Sequence, residues 1–340
     1  MQRSSGVWHA AAQRLRRDRV GSAALLVVVA CLLVVGAAAL GLIARDWQVE
    51  RGVPDAPPTF LGAAPSLDAP DTPLAAAPSA PRLDISEVDP LAPRYAEWAQ
   101  AAQKYQTSET ARAATLPFGA DRLGRDVLAK AIKGAQVSIF VGVAAALLAT
   151  LIGTLLGAVA GFFGGRLGDL LEWLYNVFTA VPGILLIFAF AAVFGRGIGA
   201  VVLILGLAGW TGIYRLVRAE FIKHAVRDYV RAAEAIGASP AARMFRHILP
   251  NVSHVVLVQL SIHVVAFIKS EVILSYLGLG VGIDQVSWGT MLAEAQGELI
   301  LGRWWQLVAA TGFMAVFVTA FALLTDALRD ALDPKLRGLE

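Results

Sequence analysis

Residues 228–251 read DYVRAAEAIGASPAARMFRHILPN and form a basic, alanine-rich stretch between two long apolar runs. Residues 229–236 are helix-forming without interruption. Gly237 then breaks the pattern, because glycine inside a helix costs about 1 kcal/mol relative to alanine. Ser239 followed by Pro240 is typical of a helix start, where a hydroxyl caps the first turn and the missing N–H of proline does no harm. The sequence therefore predicts two short helices joined by a turn.

The second short helix is expected to run from Ser239 to about His247. Leu249 and Pro250 are expected to end it, because the residue before a proline is pushed out of the helical region. Helices this short are marginal alone in water. We therefore expect this helix to rest on another protein.

The composition of the whole chain indicates a membrane protein. Hydrophobic residues make up 57% and charged residues 16%, with a mean hydropathy of +0.62, which excludes a typical soluble globular protein. The net charge of +3 says little about nucleic-acid binding, and no basic–aromatic pattern indicates it, so we expect no nucleic-acid partner. The single cysteine, Cys31, excludes a disulfide framework and a cysteine metal site, and we expect it to be a small apolar residue in a membrane helix.

Six apolar runs are long enough to cross a bilayer, for which roughly 20 residues suffice. Their uncharged extents are 20–44, 134–165, 173–195, 197–214, 247–268 and 304–325. The fifth span is expected to begin near Val255 and to end at about Leu277. The first run has 25 uncharged residues and is better interpreted as a span than as a secretory signal, although Ala37-Ala38-Ala39 would suit cleavage. The fold class predicted is an all-α polytopic membrane protein with six transmembrane helices.

The distribution of basic residues predicts the orientation. With the N-terminus inside, residues 1–19, 166–172, 215–246 and 326–340 are cytoplasmic and hold 5, 1, 7 and 3 lysines and arginines. The two short outer connections offer only Arg196 and Arg303. The long segment 45–133 carries ten, but long translocated segments escape the positive-inside rule. Both termini are therefore predicted to be cytoplasmic.

The segment between the first two spans is unusual in composition. Residues 47–117 hold 11 of the 15 prolines, and 54–81 is predicted to be an extended, poorly ordered linker. Within 90–114, apolar residues recur at three- and four-residue spacing, which predicts one amphipathic outer helix. A solvated helix that packs on its neighbours is preferred over a binding site. The residues of its apolar face are Tyr95, Trp98, Ala102 and Tyr105.

Motifs for chemistry are missing from the sequence. It contains no Walker A sequence, no HExxH and no cysteine–histidine zinc spacing, so we expect no catalytic residue, no metal site and no cofactor in this chain. Gly237-Ala238-Ser239 is the nearest candidate for a protease serine, but it lacks a following glycine, and the helix-capping interpretation of Ser239 is preferred. If transport is energised by ATP, the ATPase that binds ATP and magnesium is a separate chain.

Two patterns within the spans concern helix packing and bending. Ala149, Gly153, Gly157 and Gly161 are four residues apart on one face of the second span, which predicts close helix packing. Pro182-Gly183 in the third span predicts a kink, because proline removes a backbone hydrogen bond. The functional hypothesis is a hinge that moves during gating. The alternative, a static bend, is preferred.

Lys269 and Glu271 are charged residues inside an apolar run. Each disfavours membrane insertion by roughly 2.5–3.5 kcal/mol at the bilayer centre. They are two residues apart and point to different helix faces, so they do not simply neutralise each other. Two interpretations stay open: Glu271 faces an aqueous translocation path, or the residues snorkel at the outer interface.

The chain resembles the inner-membrane permease subunit of a binding-protein-dependent ABC importer of the dipeptide/oligopeptide type, specifically the C-type subunit. LPFGADRLGRDVL at 116–128 resembles the family's GTDxLGRDVLSR block, and 228–251 resembles its EAA–G–LP loop. LSYLGLGV at 274–281 with SWGTML at 287–292 forms a third block, and DALRDALDP at 326–334 resembles the family's C-terminus. Residues 46–115 match nothing in the family.

Two positions depart from the family pattern. Arg231 stands where the loop has its leading glutamate, with Glu234 three residues on, and Ala120 stands where the first block has threonine. The docking role of the loop is retained in our interpretation, whereas the ion pair that the missing glutamate would make is in doubt.

The resemblance implies a type I ABC importer permease fold with a long periplasmic insert between helices 1 and 2. It implies a multi-pass protein of the bacterial cytoplasmic membrane, with cytoplasmic ATPase subunits, a homologous sister permease and an outer substrate-binding protein as partners. The domains expected are a cytoplasmic segment (1–19), the first span (20–44), the insert with its pre-helix block (45–133), a permease core (134–328) with its coupling loop at about 220–251, and a tail (329–340).

In this family the helix after the loop glycine is a coupling helix that docks on the ATPase, and its movement switches the pore between outward and inward access. The residues assigned by resemblance to the coupling loop are Arg231, Ala232, Ala233, Glu234, Gly237, Ala238, Ser239, Pro240, Arg243, His247, Leu249 and Pro250. Di- or oligopeptides are the expected cargo. The alternatives are the same architecture carrying nickel or a peptide antibiotic, or an autonomous secondary transporter, for which the expected inverted repeats are not seen.

Overall fold

A computed structural model describes residues 14–15, 17–62, 89–103, 112–282 and 284–332. Within these residues the chain is helical, and β structure is limited to isolated bridges. The helices are α1 (Arg19–Ala39), α2 (Tyr95–Gln103), α3 (Val127–Phe163), α4 (Gly165–Ala180), α5 (Gly183–Phe194), α6 (Ile198–Gly209), α7 (Thr211–Ala225), α8 (Asp228–Ala235), α9 (Pro240–Tyr276), α10 (Trp288–Ile300) and α11 (Trp305–Leu332).

Four straight helices are long and apolar enough to cross a membrane: α1, α3, α9 and α11. Two further spans exist if each bent pair counts as one, α4 with α5 at 91° and α6 with α7 at 43°. The predicted all-helical membrane fold is thus confirmed, with four to six spans. The helices also extend beyond the uncharged runs, because α3 begins at Val127 and α7 continues to Ala225.

The central element is α3, whose 37 residues extend for about 55 Å at the rise of an α-helix. It contacts α1, α4, α6, α7, α9, α10 and α11. Small residues allow this, because many alanines and glycines of α3 are buried where neighbouring backbones approach. The largest apolar core lies around its first two thirds, and a smaller one lies at its Phe163 end.

The predicted kink at Pro182-Gly183 is a complete break in the helix. Val181 and Pro182 have extended backbone dihedrals, with ψ of 132° and 128°, and the chain turns by 91° between α4 and α5. The predicted bend is present, and whether it is static or a hinge that moves during gating stays a prediction. The sequence showed no comparable signal for the 43° bend between α6 and α7, which falls at Trp210.

The prediction of a poorly ordered linker is wrong at the start of the segment between α1 and α3. Backbone hydrogen bonds tie residues 50–59 to 113–125, among them Gly52 N–H to the Gly124 carbonyl at 2.9 Å and Thr59 N–H to the Leu116 carbonyl at 2.9 Å. The backbone groups of this proline-rich stretch therefore find partners across the chain. Residues 63–81 of the predicted linker lie outside the described residues.

The predicted amphipathic helix in this segment is present as α2. It covers Tyr95–Gln103, which is shorter than the 90–114 window, and Tyr105 lies outside the described residues. Tyr95 and Trp98 are more than 40% exposed, and the Arg94 guanidinium lies 5.4 Å from the Trp98 ring. The helix is solvated, as expected, and its aromatic side chains contact each other.

Candidate functional site

The 228–251 segment folds as two helices around a glycine turn, as its sequence predicts. α8 ends at Ala235, and Gly237 adopts a φ of +86°. The Ala238 N–H then donates to the Ala233 carbonyl at 3.0 Å, and the Gly237 N–H donates to the Glu234 carbonyl at 2.9 Å. Because a Cβ at Gly237 would meet nothing within 4 Å, the turn requires glycine for its dihedral angle and not for space.

The start of the second helix is also confirmed. Ser239 is the N-cap, its Oγ accepts from the Ala242 N–H at 3.2 Å, and Pro240 occupies the first helical position. The predicted stop at Leu249-Pro250 is wrong. The chain passes through a π-helical stretch at Arg243–Ile248 and continues as α-helix to Tyr276.

A π-helical turn explains how the helix passes Pro250. Proline lacks the N–H that an α-helix would direct to residue i−4, and its ring crowds that carbonyl. Here the Leu249 N–H donates to the Met244 carbonyl, five residues back, so the ladder is already widened before the proline. α9 is therefore one element that joins the 228–251 segment directly to a membrane-spanning helix.

The segment rests first of all on its own chain. Val230, Met244 and Ile248 are buried and pack with Ala158 of α3 and Val217 of α7 in the smaller core. The expectation that the short helix rests on another protein is thus incomplete. The apolar residues of both short helices face the same way, and this apolar face is buried against the chain's own spans. We call this face the underside of the segment.

The opposite face of the segment is exposed. Ile236 is 85% exposed beside the glycine turn, and Phe245 is 45% exposed on the next helix. Of the loop residues assigned by resemblance, Ala233 is buried, four are half-buried and seven are exposed. The half-buried ones are Ala238, Arg243, His247 and Leu249, and the exposed ones are Arg231, Ala232, Glu234, Gly237, Ser239, Pro240 and Pro250.

Two polar contacts hold the segment in place, and the sequence analysis missed both. Arg243 Nη1 lies 2.6 Å from Glu234 Oε1, so an ion pair joins the two short helices. His224 Nδ1 lies 2.8 Å from Tyr229 Oη, which joins the end of α7 to α8. The helix break predicted at Gly237 shows that Glu234 and Arg243 lie on different helices, but not that those helices fold back within reach.

The glycines of α3 lie against α7, as predicted for close packing. A Cβ at Gly153 would lie 2.5 Å from the Trp210 carbonyl oxygen, and one at Gly157 would lie 2.7 Å from that of Tyr214. At Gly161 the corresponding distance to the Arg218 carbonyl oxygen is 2.6 Å. These helices therefore touch backbone to backbone.

Glu271 is fully buried, so it neither faces an aqueous path nor snorkels at an interface in this structure. Ser275 Oγ donates to its Oε1 at 2.6 Å, and the hydroxyls of Ser138 and Ser287 also lie around the carboxyl. The side chain thus lies where α3, α9 and the start of α10 meet. Lys269 is exposed on another face of α9, which agrees with the expectation that the two residues point apart.

A second polar cluster lies at the Val127 end of α3, in and around the 116–128 block. Lys130 is 1% exposed and its Nζ donates to Asp121 Oδ2 at 2.7 Å and to Glu294. Arg125 Nε also donates to Asp121 Oδ2 at 2.7 Å. Burial acts to raise the pKa of Asp121, but the charges of Lys130 and Arg125 and the hydrogen bonds that these residues donate together outweigh it, and the pKa lies below its usual value.

The departure at Ala120 leaves this cluster intact. The Ala120 carbonyl accepts from Trp305 Nε1 at 2.7 Å, a backbone contact that does not depend on the side chain. Glu298 lies nearby and accepts from the Arg122 N–H at 3.3 Å. Burial raises the pKa of Glu298 to about 6, more than the Arg122 N–H and Lys130 lower it.

Known proteins with similar sequences agree with this architecture. Residues 153–338, more than half of the chain, match the family described as the binding-protein-dependent transport system inner membrane component. The chain belongs to this family. It is therefore a multi-pass permease subunit of an ABC importer and not itself a catalytic enzyme.

Individual relatives show the same kinship. The chain is 35% identical over 220 residues to the oligopeptide transport system permease protein OppC of Bacillus subtilis (strain 168), which covers 65% of this chain and 72% of the relative. It is 38% identical over 220 residues to the dipeptide transport system permease protein DppC of the same organism, covering 65% and 69%. It is 39% identical over 223 residues to the glutathione transport system permease protein GsiD of Escherichia coli O6:K15:H31 (strain 536 / UPEC), covering 65% and 73%.

Proposed function

We propose that this permease imports di- or oligopeptides, or similar small solutes, by alternating access, and that a separate ATPase drives it through the 228–251 segment. The observation that carries the proposal is that one face of this segment is buried and the opposite face is exposed. Its underside is buried on the chain's own spans, whereas Ile236 is 85% exposed beside the glycine turn. An exposed apolar side chain on a supported element is suited to enter a groove of a partner.

The continuous α9 supports the mechanism. A displacement of the segment at Ser239 would be carried along one helix to Tyr276, with no loop between them to absorb it. In this proposal the pore lies between this chain and a sister permease, and an outer binding protein delivers the cargo. The names of the relatives favour a peptide cargo, because OppC, DppC and GsiD are permeases for oligopeptides, dipeptides and glutathione.

We further propose six spans with both termini cytoplasmic, each bent pair forming one span. Ile236 and Ile300 lie at opposite ends of the bundle, and they are 85% and 83% exposed. In this orientation a cysteine at Ile236 reacts with an impermeant maleimide only in inside-out vesicles, and a cysteine at Ile300 reacts in intact cells. Equal labelling of both from one side would refute the orientation. The native Cys31 is replaced by serine for this experiment.

The ATPase proposal is tested by affinity purification of the tagged chain in mild detergent, with partners identified by mass spectrometry and ATP hydrolysis measured. We expect an ATPase and a second permease to be recovered with the wild-type chain. Ile236→Asp should lose the ATPase while Ile300→Asp, the matched control, retains it. Recovery of the chain alone under gentle conditions would argue for an autonomous transporter.

The role of Glu271 follows from its burial. We propose that it positions α10 against α3 and α9, and that cargo passes elsewhere. Glu271→Gln keeps the shape and can still accept from Ser275, so it should retain uptake, whereas Glu271→Ala leaves a cavity and should reduce it. Full uptake by Glu271→Ala would contradict this role.

A further inference from the structure

Arg243 links three helices, because it lies on one of them and contacts the other two. It lies in the π-helical stretch of α9, pairs with Glu234 of α8 at 2.6 Å, and places its guanidinium 5.3 Å from the centre of the Phe162 ring, at the end of α3. Its side chain is only 16% exposed, so these contacts are partly shielded from water. Among the described residues, this is the ion pair that bridges α8 and α9.

The turn between α8 and α9 needs such a bridge. Gly237 is exposed, and nothing lies within 4 Å of where its Cβ would be, so no contact at Gly237 itself fixes the turn. Glycine also permits a wide range of dihedral angles. The angle between the two short helices is therefore held by the capping hydrogen bonds of Ala238 and Gly237, by the apolar underside and by the Arg243–Glu234 pair.

The contact with Phe162 adds a link that the polypeptide backbone does not provide. Residues 162 and 243 are far apart in the sequence, and side chains of α3 pack against the segment. A guanidinium can pair with a carboxylate in its plane and lie against an aromatic ring with its face, which an ammonium cannot do in the same way. The geometry of this site thus favours arginine over lysine.

We infer that Arg243 is a positioning residue that makes α8, the start of α9 and the end of α3 move as one body when the ATPase displaces the segment. The inference rests on the proposed function. It reassigns Arg243 and Glu234 from partner contacts to contacts within this chain. Arg231, in contrast, is exposed and has no carboxylate partner among the described residues, so it is left to face the ATPase.

The experiment uses the full complex of both permeases, the ATPase and the binding protein, reconstituted in liposomes with a labelled peptide. It measures peptide taken up per ATP hydrolysed, together with ATPase recovery and the thermal midpoint of the complex. The variants are Arg243→Gln, Arg243→Lys, Glu234→Arg and the charge exchange Glu234→Arg/Arg243→Glu. Lys223→Gln is the control, because Lys223 is exposed and pairs with Glu220 within one helix.

We expect Arg243→Gln and Glu234→Arg to keep the ATPase bound and to lower uptake per ATP by roughly threefold to tenfold. Arg243→Lys should fall between these variants and the wild type, the charge exchange should recover part of the loss, and Lys223→Gln should match the wild type. Where Arg243→Gln does not assemble, Arg243→Lys and the charge exchange decide the result.

Two failures are distinguishable. Wild-type uptake per ATP in an assembled Arg243→Gln complex, or an equal loss in the charge exchange and in both single variants, would overturn the role of Arg243 and leave the proposed function intact. If the wild-type chain binds no ATPase, the proposed function itself fails.

Discussion

The two ends of α3 differ in the contacts they make. At its Phe163 end, α3 supports the 228–251 segment through apolar contacts, and the opposite face of that segment is exposed. At its Val127 end, α3 places Lys130 in a cluster of buried charges. The 228–251 segment at one end and the 116–128 block at the other both resemble blocks of the same family. One end leaves apolar side chains free to meet a partner. The other pairs Lys130 with Asp121 and Glu294 inside the chain, and these contacts link α3 to α10 and α11.

The buried charges at the Val127 end should be the most sensitive to substitution. Lys130→Ala leaves Asp121 and Glu294 without their shared ammonium, and removal of one partner from a buried ion pair costs about 3–5 kcal/mol. The thermal midpoint of the purified chain measures the loss. Lys223→Ala at the other end removes an exposed pair and should change stability by less than about 1 kcal/mol. Similar falls in the thermal midpoint of both variants would contradict the proposed difference between the two ends.

Backbone contacts should also differ between the two ends. A Cβ at Gly161 would lie 2.6 Å from the Arg218 carbonyl oxygen, whereas one at Gly134 would lie 3.2 Å from the Ser287 and Trp288 backbone. Gly161→Ala should therefore destabilise the chain by about 1–3 kcal/mol, as overpacking does. Gly134→Ala should cost less, which the same thermal midpoints would show. The reverse order would indicate that α7 is easily displaced from α3.

A fall of stability with rising pH should arise at the Val127 end. The pKa of Glu298 is raised to about 6, so the folded chain binds this proton more tightly than the unfolded chain does. Its contribution is fully present below about pH 4.3, the ordinary glutamate value, and is lost as the pH rises through 6, by about 2 kcal/mol in all. Glu298→Gln should remove this fall in the thermal midpoint. A fall that persists in the variant would assign it to another group.

The glycine turn at the Phe163 end should show the smallest effect on stability. Gly237→Ala forces a side chain into a φ of +86° and should cost about 1 kcal/mol. Gly297→Ala, in the α10 helix where a Cβ meets nothing within 4 Å, should be neutral or stabilising by up to about 1 kcal/mol. Circular dichroism melts of both variants test the pair. A loss at Gly297 larger than at Gly237 would contradict the dihedral argument.

Local patterns in the chain were sufficient for the helices, the turn at Gly237, the cap at Ser239, the break at Pro182 and the packing face of α3, because each depends on neighbours close in sequence. The same patterns failed at Pro250. A proline rule that holds for an α-helix does not apply once the preceding turn widens to a π-helix, and a long membrane span follows to stabilise it.

The contacts that define the candidate site required the folded chain. Glu234 meets Arg243 only because the Gly237 turn folds α8 back, and Arg243 meets Phe162 only because α3 ends beside them. Glu271 could not be assigned from its sequence position, since a charge in an apolar run has the same local pattern beside water or beside three serines. Residues 50–59 and 113–125 likewise pair across a long separation. Sequence patterns thus determine the elements and the family, while long-range packing sets which side chains meet.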